Sequence, residues 1–205
     1  PTVTPTNTTT VTPTNTPTVT PTNTLTPTNT LTPTITPTTT STPTPTPTSA
    51  VTPSGFTVTM VESGGNVIMT ASGSLNVNDL TLVNPSLGPF GSGGIGVNSA
   101  EFIMVTTSGL TGAQYSGFTT IPSTFGPGGG TTSTSASGNT FGVLETAPGI
   151  YSLIAPIGYT TGQPISSTMT FSGKTFVSLG LTTGTYTYTW GSGGNADSIN
   201  VVVGP

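Results

Sequence analysis

The 205-residue chain has one basic and five acidic side chains, no Cys and no His, with 28 Gly and 20 Pro. Nucleic-acid binding through phosphates needs many Lys and Arg, and Lys174 is the only cation. Zinc, iron–sulfur and haem sites and the Ser or Cys triads draw on Cys or His, so no cofactor and no nucleic-acid partner are expected. No apolar run approaches the roughly 18 residues of a spanning helix, and no membrane span is expected. Pro1 stands where a Met would open a complete chain, so the expectation is a mature product or a fragment whose signal peptide has gone.

Residues 1–53 form the first region, with 12 of the 20 Pro, no Gly and no charge. Every even position from Thr2 to Thr48 is Thr, while the odd positions carry mainly Pro, Val, Asn, Leu and Ile. The unit PTVTPTNT opens the tract and returns at Pro17, then shortens to LTPTNT and LTPTIT. A period of two belongs to extended chain. Proline excludes helix and drives the preceding Thr toward the β or polyproline region. In a strand, odd and even residues send their donors to opposite edges. Every proline here is odd, so one edge keeps all its Thr N–H donors. Such a strand pairs along one edge only, which is how sheets tolerate Pro.

Two readings of this arm follow. Thr-Pro tracts are, by composition, solvated and O-glycosylated stalks. The candidate acceptors are Thr2, Thr4, Thr6, Thr8, Thr14, Thr16, Thr22, Thr28 and Thr34, with Asn7 in a short N-linked sequon. The alternative is docking. Leu25, Pro27, Leu31, Pro33, Ile35 and Pro37 form the densest apolar register, and an alternating strand can complete a neighbour's sheet. Holding some fifty residues straight costs on the order of 50–100 kcal/mol of backbone entropy, so an extended arm needs glycans or a neighbouring chain to grip it. At about 3.3 Å per residue it reaches roughly 160 Å, against about 40 Å for a 150-residue domain.

Residues 54–205 read as all-β, the head of a β-sandwich carrying a non-globular arm. Alternation marks strands at 56–60, 67–71, 75–83, 101–106, 140–144, 150–154, 167–171, 185–190 and 198–203, separated by Gly, Ser, Asn and Pro turns. No helical stretch is expected, and 84–96 and 126–137 read as long flexible loops. Tyr186, Tyr188 and Trp190 share one face, either a sugar platform or, more commonly, sandwich core. The five carboxylates Glu62, Asp79, Glu101, Glu145 and Asp197 lack the supporting Arg or His of general acid–base work, so no enzyme is expected. The loop from Gly191 to Ser198 offers Asn195 and Asp197 to Ca²⁺, but calcium sites gather more carboxylates, and a Gly-rich turn is the simpler reading. Gly126–Gly130 lacks the Lys and Ser/Thr of a phosphate loop.

The runs MTFSGKTFVSLGL from Met169, GTYTYTWG from Gly184 and ADSI from Ala196, with MTASGSLN from Met69, resemble the ectodomains of exosortase-substrate (PEP-CTERM) bacterial proteins. The resemblance covers about a third of the head and implies a secreted bacterial surface or matrix protein, with no catalytic residues carried across. The chain departs from that family at Gly204–Pro205, where no hydrophobic sorting helix follows; the tail was cleaved or never existed. The combined expectation is an extracellular filament subunit, a homopolymer with covalent glycans. The alternative is a monomeric carbohydrate- or surface-binding module on a glycosylated stalk.

Overall fold

The computed structural model describes residues 55–106 and 110–204. The arm, with all its docking and glycosylation candidates, lies outside the described residues. The strands are β1 (Phe56–Ser63), β2 (Asn66–Ser74), β3 (Thr81–Leu87), β4 (Gly94–Gly96), β5 (Glu101–Met104), β6 (Gly112–Ser116), β7 (Phe118–Thr120), β8 (Gly130–Thr132), β9 (Ser135–Gly138), β10 (Phe141–Ala147), β11 (Ile150–Ala155), β12 (Pro164–Ser172), β13 (Gly184–Trp190) and β14 (Asp197–Val203). They form two seven-stranded sheets, ordered β7-β13-β14-β1-β2-β12-β9 and β3-β6-β11-β10-β5-β4-β8. The fold is an all-β sandwich.

Alternation decides which face of each strand is buried. Phe56, Val58 and Met60 of β1 are buried, as are Val67, Met69 and Ala71 of β2 and Ile199, Val201 and Val203 of β14. Burying one such side chain stabilises by about 1.5–3 kcal/mol. The second sheet closes the core with Phe102, Met104, Phe141, Val143 and Leu153. Phe141 joins the layers, its ring 4.4 Å from that of Phe56 and 5.8 Å from that of Phe102.

The other face of the first sheet is a field of hydroxyls. One row runs Thr187, Asn200, Thr57, Ser72 and Ser166 across five strands; the next runs Thr185, Val202, Thr59, Thr70 and Thr168.

Most neighbours in this sheet are antiparallel, but β1 pairs with β14 in parallel, from Phe56 opposite Ile199 to Met60 opposite Val203. The chain therefore enters β1 at one pole of the head and leaves β14 at the other. Since β1 rises about 3.3 Å per residue, Gly55 and Glu62 stand about 20 Å apart.

The structure corrects the sequence reading in four places. The strand expected at 75–83 begins only at Thr81; Leu75, Val77 and Leu80 are buried from a turn in which the Leu80 N–H donates to the Val77 carbonyl at 3.0 Å. A short helix, α1 (Phe176–Leu179), follows β12. Thr175 caps it and exchanges side-chain-to-backbone bonds with Ser178, while Gly180 ends it in the left-handed region. A 3₁₀ turn, Gly193–Asn195, interrupts the β13–β14 connection. The two expected loops contain strands: 84–96 holds the end of β3 and all of β4, and 126–137 holds β8 and most of β9. Of these, β3, β8 and β9 are edge strands and β4 lies between β5 and β8; the short Gly- and Ser-rich pieces are ordered by partner strands rather than by apolar alternation.

Candidate functional site

The residues beside the exit pole build an apolar groove of about 680 Å³, lined by Val61, Glu62, Phe176, Val177, Leu181, Thr182 and Thr183. Val61 lies on the solvent side of β1 and is 37% exposed, and Val177 on α1 is 88% exposed. Glu62 fixes the helix over the strand end by accepting from the Phe176 N–H. Leu181 is buried beneath the groove, and its N–H donates to the Phe176 carbonyl at 2.9 Å. A solvent-facing valine on a capped helical turn gains nothing in an isolated head, which makes this groove the principal apolar candidate for contact.

Thr183 of the groove leads directly into β13. On one edge this strand pairs with β14 along its whole length; on the other, β7 pairs with Thr189 and Trp190, and residues 121–125 run on from β7 to Phe125, whose carbonyl accepts from the Thr182 N–H at 2.8 Å and the Tyr186 hydroxyl at 3.2 Å. The Thr119 hydroxyl donates to the Thr189 carbonyl at 3.0 Å and lies 2.9 Å from the Thr189 hydroxyl, so the main-chain groups of Thr189 face outward. Alternate residues of a strand address the same edge, and the β13–β14 register is unbroken from Gly184 to Trp190. The N–H and C=O groups of Thr185 and Thr187 thus face outward too, while those of Tyr186 and Tyr188 face β14. Among the described residues, no main-chain hydrogen bond meets Thr185 or Thr187 on that edge.

The row of aromatics is core. Tyr188 and Trp190 are buried, and Tyr186 is half-buried with its ring edge-on to Phe125. The Trp190 indole N–H donates to the Asn76 carbonyl at 2.7 Å. Burial pushes the Tyr188 hydroxyl far above its ordinary range, with Tyr151 and Glu101 adding to it.

The five carboxylates share one use, accepting main-chain N–H groups. Besides Glu62, Asp79 accepts from Ser192 at 3.0 Å, Glu101 from Glu145 at 3.1 Å, Glu145 from Gly149 at 2.5 Å, and Asp197 from Asn76 at 2.7 Å. In the 191–198 loop, Asp79 also accepts from the Asn195 amide at 2.7 Å, and Asn195 accepts from the Asn76 amide at 3.3 Å. Asp79 was not legible as a partner of this loop: 113 residues separate it from Ser192. The knot clamps the β13–β14 connection to the end of β2. Among the described residues no cluster of three or more acidic side chains forms.

Gly126–Gly130 has a packing use. A Cβ on Gly128 would sit 1.8 Å from the Leu179 carbonyl oxygen, and the Gly128 N–H donates to the Gly180 carbonyl at 3.2 Å. The glycine run lets this loop press against the end of α1 and thereby supports the groove from behind. Among the described residues no helix is long and apolar enough to cross a membrane.

Compared with protein-family models, with curated proteins and with solved structures, the chain matches none.

Proposed function

We propose that the chain is a structural subunit of an extracellular filament, in which heads follow one another pole to pole and the arm of each lies on its neighbours. One observation carries the reading. The arm joins the head at Gly55, and the parallel pairing of β1 with β14 sets that junction at the pole opposite the groove of Val61, Phe176 and Val177. A head with unlike ends makes heterologous contacts, and these generate open helical polymers wherever the rotation between subunits does not close a ring. Low charge leaves little repulsion between stacked heads. The hydroxyl-rich outer face and the Thr positions of the arm offer the wetting, and the acceptors for O-glycans, that a charge-poor fibre needs. The rival reading, a carbohydrate-binding module, loses the platform that would serve it, because Tyr188 and Trp190 are buried.

Electron microscopy of the native material is the first test, with regular fibres expected. Removing residues 1–53 should leave a folded head that no longer polymerises. Val177→Asp should do the same, since the side chain is 88% exposed and an exposed substitution changes stability by no more than about 0.5 kcal/mol. Fibres of normal yield from both variants would remove the arm and the groove from the assembly.

A further inference from the structure

The two ends of the first sheet's solvent face are unlike in shape and in charge. At the end where the arm joins, a shallow pocket of about 470 Å³ is lined among others by Gly55, Thr189, Trp190, Gly191, Ala196 and Asp197. We propose that this pocket receives Val177 of a second copy, with that copy's Lys174 beside Asp79 and Asp197. The inference rests on the filament reading above and supplies the contact between its heads.

Two glycines make the pocket. Thr189 and Ser198 stand opposite each other on the outward row, and the parallel register of β1 with β14 sets Gly55 next in that row. A Cβ at Gly55 would meet nothing within 4 Å, so the row of hydroxyls ends at a bare place. Gly191 has a φ of +72°, and a Cβ there would stand 2.5 Å from the Asn195 carbonyl oxygen. Both the backbone angle and the close approach demand glycine, which keeps this wall bare as well. Ala196 beside it is exposed. Asp79 and Asp197 are fixed at this pole by the N–H groups of Ser192 and Asn76.

The other pole carries the knob. Val177 is 88% exposed on α1. Thr175 and Ser178 close the start of that turn, Gly180 closes its end, and Glu62 ties it to β1. A side chain held out on so fixed a turn loses little freedom on docking. Lys174, the chain's only cation, is exposed three residues before Val177, at most about 10 Å away along the chain. Glu62 is committed to the Phe176 N–H, whereas the Lys174 ammonium stands on a flexible stem that can reach across a contact. Stacking heads pole to opposite pole therefore brings the cation to the two aspartates. Stacking like poles would set lysine against lysine and aspartate against aspartate, and such pairings are suppressed.

The occupant is another copy. β13 runs from Gly184, next to Thr183 of the groove, to Trp190 at the pocket. Those six steps cover about 20 Å, so no head can seat its valine in its own pocket. With one knob and one pocket per head, the contact repeats from copy to copy. The arm of the copy that owns the pocket starts from Gly55 on its rim, and so starts against the head whose valine fills it.

The chain has no cysteine, so introduced thiols report the contact in full-length protein. Fibres grown from an equimolar mixture of Val177→Cys and Ala196→Cys are oxidised and run without reductant. Both positions are exposed, and within one head they lie at opposite poles, beyond the roughly 7 Å between Cα atoms that a disulfide tolerates. The expected result is a dimer band from the mixture and a ladder of multimers from the Val177→Cys/Ala196→Cys double variant. Val177→Cys mixed with the mid-sheet variant Thr59→Cys should give neither. Lys174→Gln should raise the fibre-forming concentration about two- to fivefold at low salt, and leave it unchanged at about 1 M salt. Fibres that give no band with Ala196→Cys, or that link Val177→Cys to Leu31→Cys of the arm instead, overturn the pocket as the partner while the filament stands. A Lys174→Gln variant that matches the parent at both salt concentrations overturns the charge pairing. If the unmodified protein forms no fibres, the filament reading itself falls, and this inference with it.

Discussion

The hydroxyl of Tyr188, on β13 of one sheet, donates to the carbonyl of Ala100, in the turn between β4 and β5 of the other. Among the described residues Ala100 is the non-glycine residue with positive φ, at +49°, and Tyr151 holds the preceding carbonyl of Ser99 at 2.7 Å. Two tyrosines thus fasten a strained turn across the core. Tyr188→Phe leaves the Ala100 carbonyl without its donor, and an unsatisfied buried acceptor costs about 1–3 kcal/mol. Denaturant titration should show a lower midpoint with an unchanged slope. An unaltered midpoint would mean the hydroxyl does not hold the turn.

Alkali should unfold the head. Burial is the leading cause of raised ionisation at Tyr115, Tyr151, Tyr159 and Tyr188, with nearby carboxylates adding to it at Tyr151, Tyr159 and Tyr188. Above about pH 10 the unfolded chain releases the protons of these four tyrosines while the folded head keeps them. Stability is therefore flat below about pH 10 and falls as the pH rises past it. Thermal midpoints measured together with tyrosinate absorbance should show ionisation and unfolding arriving at the same pH. Tyrosines that titrate freely near pH 10 in a folded head would contradict this.

Neighbouring glycines should behave differently. A Cβ at Gly128 meets the Leu179 oxygen at 1.8 Å, whereas one at Gly129 meets nothing within 4 Å. Gly128→Ala forces the loop off α1 at a cost of about 1–3 kcal/mol, while Gly129→Ala stays within about 0.5 kcal/mol of the parent. Equal midpoints for the two variants would show that the loop does not press on the helix.

The acidic knot should be structural and indifferent to calcium. Asp79→Ala removes the acceptor for Ser192 and Asn195, and Asp197→Ala the acceptor for Asn76. Hydrogen bonds to a charged partner are worth about 1.5–3 kcal/mol, at the lower end for Asp79, which is exposed. Calorimetry with calcium and with chelator should give the same transition. A calcium-dependent rise in the midpoint would make the knot a binding loop.

Alternation made much of the sandwich readable. At Phe56–Met60, Thr185–Trp190 and Ile199–Val203, large side chains recur every second residue, and solvent on one side of a sheet demands that pattern. The same rule picked out the arm's period of two, with Thr on even positions and Pro only on odd ones. It said little about β8 and β9, where Gly, Ser and Thr show no contrast between faces, or about α1, whose four residues make a single turn and so show no repeat. It was equally silent on the groove, which joins Val61 to Phe176 and Val177 across more than a hundred residues, and on the reach of Asp79 to Ser192. The opposed poles depend on β1 lying parallel to β14. Local periodicity decides which face of a strand is apolar; which strand lies beside it, and where that neighbour ends, is decided only when the whole core closes.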